Sequence, residues 1–148
     1  MFKFSLTKQI RKQYQPKRAA VANYIKKTLQ KKFNVVNINI TIVSNATSKE
    51  LNLKYRGIDK STNVIALEYA DDRLLFNFLT GEIILCDEII VNEAAKQNKS
   101  IAAHYVHMII HGMLHLQGLD HIVDDEAMHM ERLEIKILQE LGFKNPYT

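Results

Sequence analysis

Six histidines, all between residues 104 and 129, are the side chains of this sequence best suited to chemistry. His111 and His115 stand four residues apart, so on a helix they project from one face with Cβ atoms about 5–6 Å apart. Two imidazoles at this spacing can bind one metal ion, with Zn–N distances of roughly 2.0–2.1 Å. The spacing therefore predicts a metal site at this point of the chain.

A third histidine, His121, follows a glycine that can end the helix. Gly118 can adopt the left-handed backbone of a helix C-terminus, after which the next two residues would turn the chain back toward the same ion. Three neutral nitrogen donors with a vacant fourth position are typical of catalytic zinc rather than of a closed structural site. We therefore predict one Zn²⁺ per chain, with His111, His115 and His121 as its ligands.

The residue after the first histidine restricts the reaction. Two histidines on a helix, a glycine and a third histidine match the spacing of the metzincin zinc proteases, which carry a Glu at this position as general base. Here the position is Gly112, which can neither accept nor donate a proton. A bound metal would still lower the pKa of water toward about 7. The pattern predicts a metal-dependent hydrolase and disfavours peptide hydrolysis by the protease route.

Two neighbours of this motif each have two interpretations. His107 lies one turn before His111 and either contacts a ligand or the substrate or belongs to the core. Asp120 either orients a ligand imidazole through a hydrogen bond, as metal-bound histidines usually require, or is a simple turn residue. His129 lies in an acidic segment, where we expect it to be exposed.

Positive charge is concentrated in the first part of the chain. Residues 1–60 contain 14 Lys and Arg against Glu50 and Asp59, so this part has a net charge of +12 and the remainder −8. A basic half suits a polyanionic partner, because Lys and Arg neutralise phosphates and release counterions. A solvated helix face is the other interpretation, but the size of the asymmetry favours a nucleic acid.

Hydrophobic periodicity predicts the elements that must position these residues. Alternation at Phe2, Phe4 and Leu6 indicates a first strand, and the segment Ser48–Tyr55 is predicted as a short helix with Leu51 and Tyr55 facing inward and an end at Gly57. The remaining predicted strands are 37–42, Asn63–Tyr69 and Glu82–Val91, and the remaining predicted helices are Lys17–Phe33, Asn92–Gln97, Ile101–Gln117 and Asp125–Leu141.

This order predicts an α/β fold of the α+β type. We expect a single small mixed β-sheet of about four strands packed with about five helices, with the metal site on a helix and the loop after it. The length suits one domain over residues 1–148. No apolar run approaches the roughly 18 residues that span a bilayer, and residues 1–12 lack the apolar stretch of a signal peptide. A cytoplasmic location without a membrane partner is therefore expected.

Several segments together resemble the YbeY endoribonucleases. The stretch from His104 to His121 is similar to that family's signature, and Leu51–Lys60 to its tyrosine-arginine motif. Gly81–Ile83 resembles the start of one of its strands, and Glu131–Tyr147 its closing helix. The resemblance covers about two thirds of the chain. The three-histidine phrase is its most specific part.

The resemblance implies a metal-dependent endoribonuclease selective for single strands. Such an enzyme acts in maturation of the small-subunit (16S) ribosomal RNA at its 3′ end and in ribosome quality control. Its partners would be single-stranded rRNA, the small ribosomal subunit and ribosome-associated proteins, with no DNA. The matching positions imply His111, His115 and His121 as zinc ligands and Arg56 as the functional arginine.

Arg56 has a chemical rationale of its own. A guanidinium can bind phosphoryl oxygens with two donors as charge develops on them. Without the resemblance it would be interpreted as an ordinary arginine at a surface or helix end. The sequence departs from the family in residues 61–68, Ser-Thr-Asn-Val-Ile-Ala-Leu-Glu, where a Pro-Thr-Asp-Val-Leu-Ser-Phe-Pro type segment is usual. We assign this segment no catalytic role.

Two other functions compete with the nuclease. A zinc metallopeptidase-like hydrolase is favoured by the metzincin spacing and opposed by Gly112. A non-catalytic ribosome assembly or RNA-binding factor is favoured by the basic half of the chain.

Overall fold

The computed structural model describes residues 1–69, 77–119 and 124–148. Within these ranges it contains four strands and five helices. In chain order they are β1 (Phe2–Lys8), α1 (Arg18–Thr28), β2 (Val35–Val43), α2 (Asn45–Arg56), β3 (Val64–Glu68), β4 (Phe78–Cys86), α3 (Asp87–Lys96), α4 (Ile101–Leu116) and α5 (Asp124–Glu140).

The strands form one mixed sheet in the order β1-β2-β4-β3. β1 and β4 both run parallel to β2, with Ile38 opposite Phe4 on one side and Gly81 on the other. β3 pairs antiparallel with β4 and places Val64 opposite Leu85. The predicted class, a mixed α/β fold with about four strands and five helices, is confirmed.

Alternation along the strands assigns the two faces of the sheet. Ile38, Ile40 and Ile42 of β2 are buried on one face, in a cluster that also contains residues of α1 and α4. The opposite face buries Val43, Ile65 and Ile84 against Leu51 of α2 and Leu67. Successive strand residues point to opposite faces, so each face receives its own apolar row.

Helix α4 is the element around which the others pack. It contacts α1, α3, α5, β3 and β4, and most of its side chains are buried. Ser100 caps its start by accepting a hydrogen bond from the Ala103 backbone N–H. The prediction of a long helix over Ile101–Gln117 is confirmed to within one residue.

The prediction of a strand over Glu82–Val91 is wrong in its second half. β4 ends at Cys86 and α3 begins at Asp87 without a connecting loop. The buried residues Asp87, Ile90 and Ala94 recur at helical spacing, and a carboxylate in the first turn favours a helix N-terminus. The β-branched residues in this stretch obscure that period.

Helix α1 spans Arg18–Thr28 and is therefore shorter than the predicted helix Lys17–Phe33. The side chain of Gln117, just after α4, donates to the Thr28 carbonyl at 2.9 Å and accepts from the Gln30 N–H at 2.9 Å. These tertiary bonds occupy backbone groups that a longer helix would have used internally.

Helix α2 buries polar residues, and Tyr55 is exposed rather than inward. Ser48 bonds both the N–H and the carbonyl of Thr62, each at 3.0 Å. Asn52 donates to the Lys60 carbonyl at 2.8 Å. The inner face of α2 therefore holds the segment that leads into β3, which turns Tyr55 outward. The predicted end at Gly57 is confirmed, with φ +73°.

Within the described residues, no helix combines the length and apolar character that crossing a bilayer requires.

Gly81 allows the sheet and the end of α4 to approach closely. A Cβ at this position would lie 2.6 Å from the Leu67 carbonyl oxygen and 3.0 Å from Leu116 Cδ2. The first contact is to backbone, so it cannot be relieved by rotation of a side chain.

We expect Gly81→Ala to lower the free energy of unfolding by about 1–3 kcal/mol, as overpacking does. Urea denaturation measures this free energy, and we expect the m-value to stay unchanged. In a Leu116→Ala background the loss from Gly81→Ala should persist, because the Leu67 oxygen remains. Wild-type stability of Gly81→Ala would show that β3 shifts without cost.

Candidate metal and RNA-cleavage site

A cleft of about 380 Å³ lies between the end of α2, strand β3 and the second half of α4. It brings residues from three separate parts of the sequence to one surface. Its lining residues are Tyr55, Arg56, Thr62, Asn63, Val64, Ala66, Leu67, His111, Gly112 and His115.

Four histidines follow one another along α4, at positions 104, 107, 111 and 115. Spacings of three and four residues place them on one side of the helix. His104 and His107 are buried, with 2% and 6% of their surface exposed, whereas His111 and His115 are half-buried and line the cleft. The row of imidazoles therefore runs from the protein interior to the cleft.

Glu134 of α5 lies between two of these histidines. Its Oε1 is 2.6 Å from His111 Nδ1 and its Oε2 is 2.6 Å from His107 Nε2. Burial by itself would raise the pKa of Glu134, but hydrogen bonds to His107 and His111 outweigh it and lower the pKa to about 2. A fully buried carboxylate is thus kept ionised beside His111.

His107 has further partners on both sides of its ring. Lys99 Nζ lies 3.2 Å from its Nδ1. The Tyr147 ring packs edge-on against it at 5.4 Å, and the Tyr147 hydroxyl donates to Glu134. Burial lowers the pKa of Lys99. His107 is thus enclosed by Lys99, Glu134 and Tyr147, and it is not among the residues that line the cleft.

His104 forms a separate pair with Glu93 of α3. The distance from His104 Nε2 to Glu93 Oε1 is 2.9 Å, and Asn63 donates to the same oxygen at 3.0 Å. Burial lowers the pKa of His104, which favours its neutral form. This pair ties α3 to α4 and to the start of β3.

The end of α4 adopts the geometry that the glycine predicts. Gly118 has φ +91°, its N–H bonds the His115 carbonyl at 3.0 Å, and the Leu119 N–H bonds the Leu114 carbonyl at 3.2 Å. This pair of bonds is a Schellman motif, which ends a helix and reverses the chain.

Two residues predicted for the site follow this turn. Asp120 and His121 lie outside the described residues. Among the residues that the structure does describe, no group of three or more His, Cys, Asp or Glu side chains could hold a metal ion. The set His111, His115 and His121 remains a prediction.

Arg56 is exposed at the last position of α2 and lines the cleft with His111 and His115. The divergent segment 61–68 forms edge strand β3 and the residues before it, and it lines the same cleft. Val64, Ala66 and Leu67 give this wall an apolar character.

Gly112 is packed against the sheet. A Cβ there would lie 3.3 Å from Ile83 and 3.4 Å from Val64, which is tighter than most such contacts. The position that carries Glu in the metzincin pattern is therefore occupied by a residue that permits close helix–sheet packing. No proton-transfer group stands there.

Glu134 has no role among the predictions from the sequence, although its position on α5 carries a signal. Glu134 falls on the apolar stripe of α5, four residues after Met130 and four before Leu138, both of which are buried. A carboxylate on a buried stripe requires a partner, because an unpaired buried charge is strongly unfavourable. His129, by contrast, is exposed as expected.

The chain is similar to known proteins in sequence and in fold. The solution structure of the Thermotoga maritima protein TM1509 is similar, with a TM-score of 0.54 and 22% identity over 96% of this chain and 92% of that chain. This likeness concerns the fold. The family model described as endoribonuclease YbeY matches residues 3–142. The chain therefore belongs to the YbeY endoribonuclease family.

Proposed function

We propose that this protein is a zinc-dependent endoribonuclease specific for single-stranded RNA. It acts in maturation of the small-subunit ribosomal RNA at its 3′ end and in ribosome quality control, in the cytoplasm, with the small ribosomal subunit and ribosome-associated proteins as partners. The observation that carries the proposal is one cleft lined by Arg56, His111 and His115 in a chain of an endoribonuclease family.

The donor chemistry of the described residues fits a metal. His111 is bonded through Nδ1 to buried Glu134, which is the arrangement that metal-bound histidines usually have, with the other ring nitrogen as ligand. His115 lies one turn further on the same face. With His121 these residues would hold one Zn²⁺, which supplies Lewis-acid polarisation of the phosphodiester and a water of lowered pKa.

Arg56 would bind the substrate phosphate. Its guanidinium can donate two hydrogen bonds to the non-bridging oxygens and so stabilise the charge that develops on them during cleavage. As the last residue of α2, it lines the same cleft as His111 and His115 of α4, where a strand of RNA can lie.

Tyr55 supports the preference for single strands. Its side chain lines the cleft and is 47% exposed, and Lys54 Nζ lies 5.0 Å from the ring centroid. An exposed aromatic ring among cations is the kind of surface on which unpaired bases stack. A duplex keeps its bases stacked on one another and cannot use this ring.

A substrate panel separates the nuclease from its two alternatives. We expect purified protein to cleave single-stranded RNA and to leave duplex RNA and casein intact, with chelator abolishing the cleavage. Casein hydrolysis that the chelator blocks would instead support a zinc metallopeptidase-like hydrolase. RNA binding without cleavage would support a ribosome assembly factor.

Zinc content tests the ligands. Replacing His111, His115 or His121 by Ala should sharply lower the zinc content from about one ion per chain, because each removes one of three protein donors. His129→Ala is the matched control, since this exposed histidine of α5 is outside the cleft. Elemental analysis that finds equal zinc in the wild type and His115→Ala would refute the site.

Arg56→Ala should keep the metal and lose RNA cleavage, with kcat lower by about 100-fold or more, as for removal of one charge-stabilising donor. Arg56→Lys keeps the charge but loses the two-donor geometry, so we expect partial activity. Lys49→Ala removes one exposed positive charge from the same helix away from the cleft and serves as the control. Full activity of Arg56→Ala would reduce Arg56 to a surface residue.

A further inference from the structure

Glu134 is a buried acceptor shared by two histidines of α4. Only 1% of its surface is exposed, and its two oxygens lie 2.6 Å from His111 Nδ1 and His107 Nε2. An ionised carboxylate has no proton to donate. Both ring nitrogens that face Glu134 must therefore carry the proton of the hydrogen bond.

His107 is constrained at both ring nitrogens. Lys99 Nζ is 3.2 Å from Nδ1, and an ammonium group can only donate. Nδ1 is thus an acceptor and Nε2 carries the proton, which is also what Glu134 requires. The Tyr147 hydroxyl donates to the same Oε2 that His107 contacts. Two donors therefore fix this side of the carboxylate and leave Oε1 aimed at His111.

We propose that Lys99, His107 and Glu134 form a positioning chain that holds the neutral His111 ring in its Nδ1–H form. Nε2 then keeps the lone pair that metal binding needs, on the ring edge away from Glu134. The inference about the metal rests on the proposed function, whereas the tautomer of His111 is a property of the protein alone. His107 and Glu134 act through His111 and are positioning residues.

Glu134→Gln is the most informative change because it is nearly isosteric. The Gln amide has one oxygen and one NH₂ group, so it cannot accept from both histidines. Lys99 keeps Nε2 of His107 as a donor, which pulls the amide oxygen to that side. The NH₂ group then faces His111 Nδ1, and the proton of His111 must move to Nε2.

The chain offers a matched control in Glu93. It pairs with His104 on the same helix at 2.9 Å, and His104 does not line the cleft. Glu93→Gln therefore alters a second carboxylate–histidine pair, in which the histidine is buried and the carboxylate is 32% exposed, without changing the contact between Glu134 and His111.

The first test is ¹⁵N NMR of the imidazoles in the full-length, metal-free protein at about pH 8, where ordinary histidines are neutral. We expect Nδ1–H for His111 and Nε2–H for His107 in the wild type and in Glu93→Gln, and Nε2–H for His111 in Glu134→Gln. An Nε2–H form of His111 in the wild type would overturn the proposal, even if a variant failed to fold.

The second test is competitive titration with Zn²⁺ and Co²⁺. Glu134→Gln should bind either ion about 10–100-fold more weakly, as loss of such a partner does. Glu93→Gln should bind as the wild type does. In Glu134→Gln combined with Lys99→Met, His107 is free to take its Nδ1–H form and the Tyr147 hydroxyl can rotate to accept from the amide NH₂, so the amide can turn over and part of the affinity should return. If none of the metal affinity returns, Lys99 is not part of the positioning chain. Unchanged metal affinity in Glu134→Gln would overturn the role of Glu134.

The two proposals fail in different ways. Wild-type protein that binds no zinc but shows the expected tautomers would contradict the metal site and support the positioning chain. If Glu134 is purely structural, Glu134→Gln should have a lower melting temperature but the same His111 tautomer as the wild type. That result would overturn the proposed positioning chain.

Discussion

Helix α4 places two imidazoles inside an apolar core, and the packing of the neighbouring helices must satisfy their hydrogen bonds. α4 is the most buried helix of the described residues, and two of its histidines are almost fully enclosed. A buried polar group without a hydrogen-bond partner costs about 1–3 kcal/mol. Each enclosed ring has a carboxylate partner at Nε2, Glu93 of α3 for His104 and Glu134 of α5 for His107, while Nδ1 of His104 has no hydrogen-bond partner among the described residues. These pairs restrict how both helices can pack against α4.

Burial of the Glu134 carboxylate with its histidine partners is not an efficient source of stability. Desolvation of an ion pair can exceed its attraction, and apolar residues of similar volume often stabilise a core at least as well. Groups with shifted pKa values are concentrated at functional sites, because active sites require charge in unusual surroundings. Glu134 fits this pattern, since its pKa is lowered despite burial and its second oxygen contacts a histidine of the cleft.

The same helix serves as a core element at one end and as a cleft wall at the other. Gly81 and Gly112 allow α4 to lie close to β3 and β4, so the cleft is bounded by the edge strand. The polar inner face of α2 holds the segment that leads into this strand, and Arg56 at the end of α2 lines the same cleft. Packing of the sheet and both helices therefore determines which side chains meet at the site of an endoribonuclease-family protein.

Features that depend on neighbours along the chain can be predicted from the amino-acid sequence alone. The spacing of His111 and His115, the length of α4 and the turn at Gly118 follow from local geometry, because residues three or four apart on a helix face the same way. Alternation of apolar residues likewise gave β2, and the family motifs gave Arg56 as a candidate.

Contacts between distant segments depend instead on how whole elements pack against one another. Glu134 meets His111 across 23 residues, and Gln117 ends α1 across 89 residues from Thr28. Tyr55 faces outward because the inner face of α2 is occupied by Ser48 and Asn52, which form hydrogen bonds with backbone groups of the next segment. Local patterns report which face of an element is buried. The partner of a buried charge depends on the packing of whole elements. The free energy of burying the charge is set by which donor the folded core brings within hydrogen-bond distance.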